Sequence, residues 1–394
     1  MVSQTFDDAE VERQVRAVLA ATGLAGACCV QNFLRKEDYA LITALRSGHY
    51  NHSEICDRFE ERVADVLGVA DTVAVSSGTA ALTVALLAAG IGRGDEVIVP
   101  SFTFCATIQA VLAVGAIPRF ADIDPTTLCT EAAEATEALT AATRAVMPVL
   151  YAGRAVDLGA VRPELDRRGI PVIEDAAHAF GSSHDAARPV GATGDLTCFS
   201  FGPIKNLTCG QGGMIVPRSP EEAATCRALR SLGITDTVTS RADMTSYPVS
   251  GFGLRVQMPS LNAAIGLAQL DHFAEIQQRR RYLWRSYAAA LEGIEGVVLL
   301  DVDTERTVPH LCVVRVPDRR EEVFAALRRL GIGVGTHYPA NHCQPAFTAW
   351  HRPLPVTERI GREVMTLPFH LYLDDSDIAQ VADALRHALA QARR

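Results

Sequence analysis

The sequence predicts an α/β protein built on a mostly parallel sheet, with a smaller α+β domain after it. Two observations carry that reading: from about residue 72 to 216 short apolar runs alternate with helical patterns, and beyond about residue 259 the alternation changes character. Parallel strands need long crossovers, usually helical, which cover both faces of the sheet, so such strands read as continuous apolar runs. Val73-Ala74-Val75 and Val97-Ile98-Val99 are runs of that kind.

Taken in order, the first 40 or so residues read as mostly helical and are expected to pack against the smaller domain. A strand at 73–75 leads to a helix over 79–89, a strand at 97–99 to a helix over 104–114, and a third strand follows at 117–120. The alternation continues with an apolar run at 145–150, a helix over 157–168 and a strand at 172–173. Another strand, at 197–201, breaks at Gly202-Pro203. Around 235–258 the chain turns to Thr, Ser, Asp, Gly and Pro, which reads as a long surface connection of the kind that often carries function. A helix is expected from about Pro259, since proline suits a first helical turn, to about Leu291. Strands at 297–299 and 311–314, a helix over 321–330 and a last helix from about 376 complete the chain. The expected divisions are an N-terminal segment at 1–40, a large domain at 41–258 and a small one at 259–394.

Composition narrows the function. The 394 residues are 48% hydrophobic and 21% charged, with a net charge of −9 and no basic stripe, which argues against a nucleic-acid partner. The N-terminus opens with Asp7, Asp8 and Glu10 where a signal peptide would carry positive charge, and no apolar run approaches the roughly 20 residues that span a bilayer, so no membrane association and a cytoplasmic location are expected. The ten cysteines are scattered, apart from adjacent Cys28 and Cys29, in neither a paired zinc spacing nor a disulfide framework, so they read as small buried hydrophobes and no metal site is expected.

One amine stands out. Lys205 follows the strand break at Gly202-Pro203 among small and apolar neighbours, where desolvation favours the neutral, nucleophilic form of a lysine. A second apolar strand ends in Glu174-Asp175, so a carboxylate and this lysine could face one pocket. Pyridoxal phosphate (PLP) uses such a pair: a lysine as its Schiff base and an acid against its ring nitrogen. Ser76-Ser77-Gly78-Thr79-Ala80-Ala81 follows a strand and opens a helix, so its backbone N–H groups could cradle a phosphate, or its hydroxyls could merely cap the helix. Phe104, just beyond a strand, could lie on a pyridine ring or pack in the core, and Ser200 could meet the phosphate or cap its own turn.

These segments, with Gly94 to Pro100, Glu174-Asp175-Ala176-Ala177-His178, Gly210-Gln211-Gly212-Gly213 and Ala263 to Leu270, resemble the DegT/DnrJ/EryC1/StrS family of sugar aminotransferases from about Leu41 to Asp375. The resemblance implies the PLP-dependent transferase fold of type I, with Lys205 and Asp175 catalytic. It also implies cofactor contacts from Gly78, Thr79, Ala80, Phe104, His178 and Ser200. His337-Tyr338-Pro339 resembles the family's substrate-side stretch, and His342 beyond it could meet a hydroxylated ligand. Gly253-Leu254-Arg255-Val256-Gln257-Met258 departs from the family's Gly-Tyr-Asn-Tyr-Arg-Met, placing Arg255 where an asparagine normally reaches the partner subunit's cofactor. Gly48-His49-Tyr50-Asn51-His52 departs from Gly-Trp-Leu-Thr-Thr-Gly at the substrate entrance, which implies an unusual substrate.

The implied activity is transfer of an amino group from an amino acid, glutamate or glutamine, to a keto sugar or cyclitol by a homodimer with shared sites. Three alternatives stay open. A dehydratase using pyridoxamine phosphate (PMP) is opposed by Lys205, since those relatives carry histidine there. A regulatory protein on the same fold is allowed because fold does not fix function. A nucleotide-phosphate site would need a Gly-x-Gly-x-x-Gly turn or a Gly-Lys-Ser/Thr loop, and the chain shows neither.

Overall fold

The computed structural model describes Gly48, Tyr50 and residues 52–235 and 246–393. The expected helical segment at 1–40, His49 and Asn51 of the substrate-entrance stretch, and part of the 235–258 connection lie outside the described residues.

Helix α1 (Glu54–Leu67) opens the described fold, capped by Ser53, whose side chain accepts from the Ile55 amide, and closed by Gly68 at φ 67°. The large domain then alternates β1 (Val73–Val75), α2 (Gly78–Ala88), β2 (Glu96–Pro100), α3 (Cys105–Ala113), β3 (Ile117–Ala121), α4 (Ala132–Ala138), β4 (Thr143–Val146), α5 (Arg162–Arg168), β5 (Ile173–Asp175), β6 (Leu196–Ser200), β7 (Gly213–Val216) and α6 (Pro220–Arg230). Strands β3, β2 and β4 pair in parallel. In the order β1-β7-β6-β5, β5 and β6 are parallel while β7 runs antiparallel to both neighbours. Parallel bridges from Val146 to Val172 and from Val149 to Asp175 carry pairing across the gap between β4 and β5.

The central strands bury both faces, so their side chains alternate between two cores. Ile98 joins the cluster around Phe59, Phe102 and Tyr151, whereas its neighbours Val97 and Val99 join the one around Leu86, Ile108 and Phe120. That arrangement is why these strands read as unbroken apolar runs.

The helix expected from 259 to 291 is two, α7 (Ser260–Asp271) and α8 (Phe273–Leu291), hinged at His272. They serve different surfaces. Helix α7 packs against α1, where Gly266 lies so close that a Cβ would sit 2.5 Å from the Phe59 ring and 2.6 Å from Cys209 Sγ. The later part of α8 instead buries Leu283, Tyr287 and Leu291 in a third cluster. That cluster holds the antiparallel sheet of β8 (Val298–Leu299), β9 (Cys312–Arg315) and β10 (Val364–Leu367), together with α9 (Arg320–Arg329) and α11 (Asp375–Ala392). Helix α10 (Pro355–Glu363) runs directly into β10. Among the described residues no helix is long and apolar enough to cross a membrane.

Candidate active site

Five strand ends converge on one cavity of about 270 Å³, lined by Ser77, Gly78, Thr79, Phe104, Thr107, Asp175, His178, Ser200, Lys205, Gln211, His337 and Tyr338 among others. Ser77 follows β1, Phe104 follows β2, Val149 follows β4, and Asp175 and Ser200 end β5 and β6. Ligands of open α/β sheets bind outside the carboxyl ends of strands for this reason: loops leaving those ends are free to vary while the sheet stays rigid.

Strand β6 delivers Ser200 and then breaks. The chain loops through Lys205 and returns to the sheet, with the Phe201 amide bonded to the Gly212 carbonyl at 2.8 Å and the Cys209 amide to the Phe201 carbonyl at 2.9 Å. Burial pulls the Lys205 ammonium down to about 8, against the opposing attraction of Asp175. Asp175 is only 5% exposed. Its Oδ2 accepts the Thr107 hydroxyl at 2.7 Å and its Oδ1 the Ala177 amide at 3.2 Å. Burial pushes its pKa up, while those hydrogen bonds and Lys205 resist the rise. Because Thr107 spends its proton on Asp175, it must accept from the Thr103 hydroxyl 2.9 Å away, giving a directed chain from loop to carboxylate.

The anion cradle is shaped by a missing methyl. A Cβ on Gly78 would stand 2.7 Å from Ser200 Cβ, so only glycine lets β6 approach the start of α2 this closely. Ser77 caps α2 by accepting the Ala80 amide at 3.1 Å, which leaves the first-turn amides of Gly78 and Thr79 to a ligand beside the Ser200 side chain. The Ala80 amide is therefore already used within the chain, and Ala80 does not line the cavity, which differs from the expectation that it contacts the cofactor.

His178 has a definable tautomer. Its Nδ1 accepts the Ala152 amide at 3.3 Å, so its Nε2 carries the proton and donates to the Tyr338 hydroxyl at 3.1 Å. Burial, reinforced by the nearby Lys205 ammonium, holds it well below the usual histidine range and keeps it neutral. The ring of His310 lies 4.2 Å from that of His178, and Asn206, next to the lysine, joins the two by accepting from His310 Nδ1 at 3.3 Å and donating to the His178 carbonyl at 3.4 Å, with a second bond to the Val308 carbonyl at 3.1 Å. His337 donates from Nδ1 to the Thr366 hydroxyl at 2.9 Å, because that hydroxyl gives its own proton to the Gly335 carbonyl. The phenol of Tyr151 bonds the His337 carbonyl.

Two further expected site residues lie elsewhere. His342 is fully buried away from the cavity, its Nδ1 2.6 Å from the Ser101 hydroxyl and its Nε2 3.4 Å from Glu358. Sequence alone missed this, since the interaction partner Ser101 lies 241 positions away. Arg255 is exposed, opposite Ser231 in an isolated bridge, and lines no part of the cavity within its own chain. Conversely, Thr103, Thr107, Tyr151, Asn206 and His310 escaped the sequence reading. They are ordinary residue types whose partners are distant in the chain, as with Thr107 and Asp175, 68 positions apart.

The residues present fit pyridoxal phosphate: an amine poised near neutrality, a buried carboxylate, and an anion cradle that a single Cβ would close. A model of the DegT/DnrJ/EryC1/StrS aminotransferase family matches residues 33–386. Among solved structures, DesV of S. venezuelae is 34% identical with a TM-score of 0.82, covering 91% of this chain and 94% of that one. The sugar aminotransferase CalS13 of Micromonospora echinospora is 29% identical with a TM-score of 0.81, covering 88% and 95%. Spr1654 of Streptococcus pneumoniae, solved in a PMP form, is 25% identical with a TM-score of 0.85, covering 91% and 98%, and a PLP form of it matches at a TM-score of 0.84.

Proposed function

The chain belongs to the DegT/DnrJ/EryC1/StrS aminotransferase family, whose members are PLP-dependent, and from that premise we propose that it moves an amino group from glutamate or glutamine to a keto sugar or cyclitol. The observation that carries the reading is the convergence of Lys205, Asp175 and the Gly78–Ser200 cradle on one cavity.

Bound PLP supplies an aldehyde for an amine to capture and a cationic ring to receive the electron pair left at the substrate carbon. The chain does the rest. Lys205 Nζ, with a pKa of about 8, can give up and regain one proton near neutrality, so the same atom would take a proton from the donor's α-carbon in one half-reaction and deliver one to the acceptor carbon in the other. Asp175, fixed by Thr107 and Ala177, holds a proton at the ring nitrogen as a charge-assisted pair. The Gly78 and Thr79 amides and the Ser200 hydroxyl bind the phosphate, and the exposed ring of Phe104 offers a flat apolar face. Since Tyr338 accepts from His178, its own hydroxyl proton is free to donate, which suits a hydroxylated acceptor. The Nε2 of His337, whose other nitrogen is committed to Thr366, can accept from such a ligand.

The test is to convert the enzyme to its PMP form and screen nucleotide-linked and free keto sugars and cyclitols for return of the PLP-form absorbance. Recovery with at least one such acceptor is expected. Recovery only with 2-oxo acids would overturn the acceptor class, and normal turnover by Lys205→Ala would overturn the site assignment.

A further inference from the structure

We propose that His342, Cys343 and His351 form a three-ligand zinc site, completed by water, that braces the loop behind the active site. The inference is independent of the substrate reading above.

One ligand atom each from His342, Cys343 and His351 lies within 4.8 Å of the others. Cys343 Sγ stands 3.5 Å from His342 Nε2, and Glu358 Oε1 stands 3.4 Å from the same nitrogen. Donor atoms on a tetrahedral zinc, with bonds of about 2.0 Å to nitrogen or oxygen and about 2.3 Å to sulfur, sit roughly 3.3 to 3.6 Å apart. The Cys343–His342 spacing therefore already matches a coordination shell, while Glu358 is not among the donors that lie within 4.8 Å of one another. Two nitrogens and a thiolate suit zinc, which takes a water as fourth ligand where the protein supplies three.

The donors are also held in place from behind, as metal ligands usually are. The Ser101 hydroxyl, 2.6 Å from Nδ1, orients the fully buried His342 ring and leaves Nε2 facing the cluster. Cys343 and His351 are exposed, so a metal ion can enter from solvent.

The site's position gives it a role. Its ligands come from two short helical turns, Asn341–Cys343 and Pro345–Trp350 with His351 as cap. Asn341, beside His342, donates its side-chain amide to the carbonyls of Ser101 at 3.0 Å and Thr103 at 2.6 Å. That loop leads to Phe104 and starts the hydroxyl chain to Asp175. None of the three ligands lines the cavity, so the metal takes no part in proton transfer there.

The experiment uses untagged full-length holoenzyme, stripped with a chelator and titrated with Co²⁺ and then Zn²⁺ while the cofactor absorbance is followed. We expect about one equivalent of Co²⁺ with tetrahedral d–d bands and a thiolate charge-transfer band, displaced by Zn²⁺ with no change in the cofactor spectrum. Cys343→Ser should abolish the thiolate band, and His351→Ala should weaken Zn²⁺ binding at least tenfold. Zn²⁺ should raise the Tm of the natural chain and of neither variant. Both substituted residues are exposed, so both variants should fold. Absence of binding, a missing thiolate band in the natural chain, or equal affinity in the variants would overturn the proposal.

Discussion

Lys205 shows how one residue's environment sets its chemistry. An ordinary lysine, near 10.4, is almost wholly protonated at neutral pH and cannot attack an aldehyde. Here burial lowers it to about 8, although Asp175 pulls the other way. Desolvation wins because the carboxylate is itself buried and already divided between Thr107 and Ala177. The neutral fraction therefore grows about tenfold per pH unit below that value and saturates above it. Capture of added PLP by cofactor-free enzyme should accelerate as pH rises toward about 8 and then level off. A rate still climbing at pH about 10 would mean that the amine is exposed and unshifted.

At the scale of elements, the site depends on how β1 is anchored, because β1 delivers Ser77 and Gly78. Glu60 of α1 is 6% exposed and accepts from the Ala74 amide of β1 at 2.8 Å and from Arg230 of α6. Arg230, 5% exposed, also donates to the Ala74 carbonyl at 2.7 Å. One ion pair thus ties two helices and a strand together. Removing one partner of a buried pair strands the other charge, so Glu60→Ala should cost about 3–5 kcal/mol in denaturant unfolding and weaken PLP binding with it. Glu60→Gln keeps an acceptor and should lose less. A loss below about 1 kcal/mol for the alanine variant would show that solvent reaches Arg230 and that the pair does not hold β1.

At the scale of the whole molecule, the cavity joins both halves of the chain. Lys205 and Asp175 come from the large domain, whereas His310 and Tyr338 arrive from segments flanking the small antiparallel sheet. Asn206 and His178 make the seam. Arg255, exposed and outside its own cavity, is the residue we propose to reach a partner's phosphate in a homodimer. Mixing Lys205→Ala protein with Arg255→Glu protein should then restore part of the activity, because a hybrid dimer regenerates one intact site. Failure of mixtures to exceed either parent, with subunit exchange demonstrated, would place Arg255 outside any shared site.

The α/β alternation and the strand ends that bring Lys205, Asp175 and the Ser77–Thr79 turn to one cavity were readable from the chain because each is a local pattern: an apolar run, the break that ends it, and the residue type at that break. The neutral tautomer of His178, the Thr103–Thr107–Asp175 chain, the burial of His342 behind Ser101 and the division at His272 were not. Each depends on which distant surfaces meet. Hydrogen-bond partners, desolvation and helix hinges are consequences of packing, and packing brings together residues whose separation along the chain carries no trace of their nearness in space.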